Sequence, residues 1–158
     1  MPASDSDSTE QRNAERLILD AIERTVGKAL QPRRLTLPGG ANVDVDGVAE
    51  DHSVLVEVFA HQGAVKGGQR HKIATDVLRL ITIARDLTPR PRLILAFAEP
   101  GLADWATGRS WLAASLLAWD VDVVIVELHD NIRSEIRTAQ ARQIMVNPPS
   151  HPGSSDLS

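Results

Sequence analysis

Three carboxylates sit close together in the sequence, in a pattern that could handle a metal ion. Asn42 to Val48 alternates Val43 and Val45 with Asp44 and Asp46. Eleven residues after Asp46, Glu57 interrupts the apolar run Val54-Leu55-Val56-Glu57-Val58-Phe59. Residues two apart on a strand share a face, so Asp44 and Asp46 should point the same way. Carboxylates held at close range repel one another, and burial makes this worse. Hard divalent cations such as Mg²⁺ relieve that repulsion by taking oxygen ligands. An ordinary hairpin with a wet face would also alternate acids with valines, and that reading suits Asp44 best. It suits Glu57 least, because a Glu inside so apolar a strand is rarely left without a partner.

The elements around these residues follow from periodicity and punctuation. Ala14, Leu17, Ile18, Ala21, Ile22 and Val26 recur at spacings of three and four and predict a helix from Gln11 to about Leu30, ended by Gln31-Pro32. Arg33 to Leu37 reads as a short strand, and Pro38-Gly39-Gly40 as a turn. Asn42–Val48 and Ser53–Ala60, joined by the polar Ala49-Glu50-Asp51-His52, form a predicted hairpin. Gln69 to Asp86 reads as a helix with Ile73, Val77, Leu80, Ile81 and Ala84 on its buried stripe. Arg92 to Phe97 reads as a strand covered on both faces. A helix from Leu102 to Trp119, a strand from Val121 to Leu128 and a last helix over Asn131–Met145 complete the chain. The expected fold is α/β, a mixed central sheet flanked by helices, with the core order α-β-β-β-α-β-α-β.

This order and these acids resemble the PD-(D/E)XK (restriction endonuclease-like) nuclease superfamily. The resemblance rests on Val45-Asp46-Gly47-Val48 and Val54-Leu55-Val56-Glu57-Val58-Phe59-Ala60, and covers roughly residues 12–97. It implies Asp46 and Glu57 as metal ligands, with the backbone carbonyl of Val58, for Mg²⁺ or Mn²⁺. It implies phosphodiester hydrolysis of a nucleic acid. The family lysine belongs two residues after the acid, where this chain has Phe59. Some members carry a Lys or Gln on the following helix instead. Here Lys66, Gln69 and Lys72 stand at three-residue spacing, on one side of a helix start. The first helix of such proteins often adds an acid, and Glu15 borders the apolar stripe. A fold of this kind kept as a non-catalytic module for a partner protein or nucleic acid is the alternative.

Composition narrows the classes. The chain has 158 residues, 42% hydrophobic, and a formal charge of −4. Asp5, Asp7, Glu10 and Asp156 lie in the tails; removing those four from 21 acids leaves 17 against 17 Lys and Arg. A near-neutral body argues against a non-specific DNA coater. Residues 1–10 and the Pro/Ser-rich 147–158 are expected to be loose, around one domain over 11–146. No apolar run is long enough to span a membrane. The absence of cysteine suits a cytoplasmic location. His61 and His71 flank a Gly-containing loop without a zinc spacing. Trp105, Trp111 and Trp119 are expected to pack, or to form a homodimer surface.

Overall fold

The structure is a computed structural model, and it describes residues 5–146 except residue 65. Its order is α1 (Asp5–Val26), β1 (Leu30–Thr36), β2 (Asn42–Ala49), β3 (Val54–Phe59), α2 (Gly67–Arg85), β4 (Arg92–Phe97), α3 (Pro100–Thr107), α4 (Trp111–Ala118), β5 (Val121–Ile125) and α5 (Asp130–Val146). The five strands form one open mixed sheet in sequence order. The first two pairings are antiparallel. The last two are parallel, with helices as the connections. The α/β class is therefore present; the order differs from the predicted one in that the helix predicted over Leu102–Trp119 is two, α3 and α4, while the last predicted helix follows β5 as α5.

Two cores sandwich the sheet. Leu55, Phe59, Leu93, Leu95 and Phe97 meet the helices α2, α3 and α4 on one face. Val56, Val58, Ile94 and Ala96 meet Ala14, Ile18 and Ile22 of α1 and Ile136 of α5 on the other. β3 is the central strand and is buried at every position, as its apolar run predicts. β5 is an edge strand, shorter than predicted, and Ile125 is exposed.

The helix boundaries differ from expectation for local reasons. α1 ends at Val26 because Gly27 takes a left-handed φ of +69° and its N–H caps the Glu23 carbonyl at 2.8 Å. Pro32 therefore lies in β1, an edge strand that tolerates its missing donor. The acidic segment expected to be loose enters α1 at Asp5, while the predicted C-terminal tail, 147–158, lies outside the described residues. The apolar stripe of α1 is also rotated: Leu17 is exposed, and Leu19 is buried in its place. The helix predicted over Leu102–Trp119 breaks at Gly108. A Cβ there would lie 2.8 Å from the Asp104 carbonyl oxygen. Ser110 then restarts the helix by accepting the Ala113 N–H at 3.1 Å and donating to the Trp105 carbonyl at 2.9 Å. Trp105 is partly buried, whereas Trp111 is 68% exposed and Trp119 50%.

One irregularity shapes the site. Arg33 pairs with Val45 and Gln31 with Val48, so β2 holds one residue more than β1 between these points. Val43 and Val45 face the α2 side, and so does Val48, which breaks the alternation by one residue. The bulge falls on Asp46-Gly47. Gly47 needs its missing side chain, since a Cβ would stand 2.6 Å from Leu19 Cδ2.

Candidate active site

β2 and β3 pair at Gly47↔Val56 and Val48↔Leu55 and part beyond that point. Asp46 and Glu57 are the residues at the parting. The bulge separates Asp46 from Asp44, so the expectation that the two acids share one environment does not hold. Asp44 is exposed and accepts two bonds from Arg34 of β1, at 2.7 and 2.9 Å. That is the wet-hairpin role expected of it. Asp46 is half-buried, and its Oδ2 accepts the Val58 N–H at 2.8 Å. This bond spans the gap where a regular ladder bond would otherwise run.

Glu57 is only 4% exposed. By alternation with Leu55 and Phe59 it faces α2. Its Oε1 has no hydrogen-bond donor, and its carboxyl group lies within hydrogen-bonding reach of that of Asp46. Burial first, then Asp46 and the charge of Asp76, push its pKa up to about 10, with Lys72 opposing. An ionised Glu57 would be an unpaired buried charge. A protonated one can donate to Asp46, so near neutral pH Glu57 keeps its proton.

The helix α2 supplies the cation. Lys72 Nζ bonds Asp76 Oδ2 at 2.8 Å and stands 5.0 Å from the centroid of the Phe59 ring. Burial works to lower its pKa, but the bond and charge of Asp76, with Asp46 and Glu57 behind, outweigh burial and hold it above the ordinary value. The ammonium thus stands over the face of the Phe59 ring. Phe59 is itself fixed by stacking on Phe97, centroids 5.0 Å apart. Asp76 is 3% exposed and also takes Arg79 Nη1 at 3.2 Å. Its position was signalled in the sequence, since Ile73, Asp76, Val77 and Leu80 share one buried side of α2.

The other two helix candidates do less. Gln69 Oε1 accepts the Lys66 N–H at 2.9 Å and so caps α2. Lys66 is the N-cap residue, exposed, and lines a neighbouring pocket. Both sides of the sheet end meet in a cleft of ≈ 410 Å³, walled by Gln11 and Glu15 of α1, by Asp46 and His61, and by Gln69 and Lys72 of α2. Glu57 lies behind this wall rather than on it. Glu15 accepts from Gln11 at 3.0 Å, and burial, opposed by that bond, raises its pKa. Among the described residues no group of three His, Cys, Asp or Glu side chains is arranged to hold a metal ion. The pair therefore needs a main-chain oxygen to complete an ion site. The orphaned Glu57 oxygen and the all-oxygen donor set fit a hard cation. No helix among the described residues is long and apolar enough to cross a membrane.

No family model, no curated protein and no solved structure matches the chain.

Proposed function

We propose that this chain is a metal-dependent phosphodiesterase acting on nucleic acid, a divergent member of the PD-(D/E)XK class working in the cytoplasm. One observation carries the proposal: a buried carboxyl with an unpartnered oxygen, Glu57, lies against the carboxyl of Asp46 at the parting of two strands. Native interiors seldom leave such a group unpaired without a use for it. Asp46, Glu57 and the Val58 carbonyl would hold Mg²⁺ or Mn²⁺, which when bound would acidify a water and neutralise charge on the scissile phosphate. Lys72 would hold a phosphate oxygen or the attacking water from the α2 side. Its position over the Phe59 ring supports it ahead of Gln69 and Lys66 as the replacement for the motif lysine. Gln69 lines the cleft and keeps α2 capped.

Nuclease assays with Mg²⁺ and Mn²⁺, on single- and double-stranded DNA and RNA, test this. Asp46→Ala and Glu57→Ala should each lower the rate on the order of a hundredfold or more, since a bound metal contributes several kcal/mol at the transition state. Activity that survives in both variants overturns the assignment.

A second reading keeps the fold without the chemistry, as a module that binds a partner protein or nucleic acid. The arrangement that favours it is the position of Glu57 behind the cleft wall, where among the described residues no third acid is arranged with the pair to hold an ion. Failure to bind Mg²⁺ or Mn²⁺ at millimolar concentration would select it.

A further inference from the structure

A hydrolytic site needs a group that takes the proton of the attacking water. The acids and Lys72 leave that place open. Lys72 is held as an ammonium by Asp76, so it has no lone pair to offer. Asp46 is engaged by the Val58 N–H and by Glu57, and Glu57 lies behind the wall. His61 stands on the same wall as Asp46 and Lys72, two residues beyond the end of β3. We propose that His61 is the proton acceptor in the cleft, an assignment that rests on the phosphodiesterase reading above.

The loop that carries His61 is held on three sides. Gln62 is buried, its N–H donating to Gln140 Oε1 at 3.0 Å and its carbonyl accepting Gln140 Nε2 at 2.9 Å. Its side-chain Oε1 accepts Arg133 Nε at 2.9 Å. The next residue, Gly63, donates its N–H to Glu99 Oε2 at 3.1 Å. Three bonds to α5 and one to the start of α3 therefore fix the imidazole beside the cleft without using the ring itself. The ring is partly buried and also bonds the backbone of Ala64. One ring nitrogen is thus occupied, leaving the other to accept a proton. The charged groups acting on the ring are Lys66 and Glu99, with Glu15 of α1, Asp46 of β2 and Lys72 of α2 on the same wall. Burial, aided by Lys66 and opposed by the Ala64 bond and Glu99, lowers its pKa and keeps it neutral near pH 7.

In the proposed step the free ring nitrogen takes a proton from water as the water oxygen bonds to phosphorus. The phosphorus–oxygen bond to the leaving group breaks, and the leaving oxygen takes a proton from solvent. His61 becomes an imidazolium and returns that proton to solvent. Glu15 is the rival base, since it shares the wall and its pKa is raised.

The test uses the full chain at saturating Mn²⁺. His61→Gln should lower kcat on the order of a hundredfold with KM unchanged, the usual scale of a general base. The acidic limb of its kcat–pH profile should vanish, and added imidazole should restore rate to His61→Gln but not to Asp46→Ala. In the metal-free parent chain, the His61 ring signal followed by NMR should titrate below the ordinary histidine value, a measurement that needs neither activity nor a folded variant. A ring titrating above that value overturns the proposal. So does a limb that persists in His61→Gln, or one removed by Glu15→Gln instead. A parent chain with no activity in either metal removes the phosphodiesterase reading and this role with it. An active parent with an indifferent His61→Gln removes this role alone.

Discussion

Glu57→Gln should fold more stably than the parent chain at neutral and alkaline pH when divalent cations are chelated. The sign follows from where the proton sits. Glu57 has its pKa raised in the fold from 4.5 to about 10. Between those values the folded chain keeps a proton that the unfolded chain has released, so stability falls as pH rises. The contribution is fully present below pH 4.5 and is lost progressively towards pH 10, at about 1.4 kcal/mol per pH unit. At pH 7 the accumulated loss is about 3 kcal/mol on that scale. Glutamine has nearly the shape of the protonated acid and carries N–H donors for Asp46, without a proton to lose. Urea denaturation at pH 5, 7 and 8 should show the two chains close together at pH 5 and diverging above it. Parallel curves across that range would mean that Glu57 ionises freely in the fold. The same substitution should abolish metal binding, so the residue that costs stability is the one on which the proposed activity depends.

The second large effect concerns Asp76 and its two cations. Asp76 is buried, while the Lys72 and Arg79 side chains that reach it are 62% and 51% exposed. Either cation alone leaves the carboxylate with one partner, and partly hydrated pairs of this kind are worth about 1 kcal/mol or less. Removing both leaves a buried charge with no cation beside it, which costs about 3–5 kcal/mol. Lys72→Met and Arg79→Met should therefore be mild singly, and together cost clearly more than their sum. Chemical denaturation of the four chains of that cycle measures it. Simple additivity would show that Asp76 is solvated, or neutral, once its partners are gone.

Much of this arrangement is legible in the sequence because periodicity reports burial. The run Val54–Phe59 predicts a central strand with a buried Glu57, and β3 is that strand. The separation of Asp44 from Asp46 in role is also legible, but its cause is not. Strict alternation puts both acids on one face, and only the pairing of β1 with β2 reveals the extra residue that turns Asp46 towards Glu57. The start of β1 was hidden for a similar reason. Val26 and Leu30 fit a helical stripe, and the left-handed Gly27 between them overrides it. Lys72 could be named but not separated from Lys66 and Gln69 by spacing alone. Their separation depends on the packing of α2 over Phe59 and on the carboxylate of Asp76, both long-range in origin. The cleft role of His61 had no signal in the sequence, because it depends on Gln140 and Arg133 of α5, more than seventy residues away.

In the proposed phosphodiesterase, a divalent cation would take the place of the proton that Glu57 holds beside Asp46. Isothermal titration of the chain with Mn²⁺ in buffers of different ionisation enthalpy measures binding and proton release together. Binding should release close to one proton near pH 7, and affinity should rise about tenfold per pH unit while Glu57 remains protonated. Glu57→Gln and Asp46→Ala should lose the heat. Absence of binding at millimolar Mn²⁺, or binding that releases no proton and survives in Glu57→Gln, would contradict it.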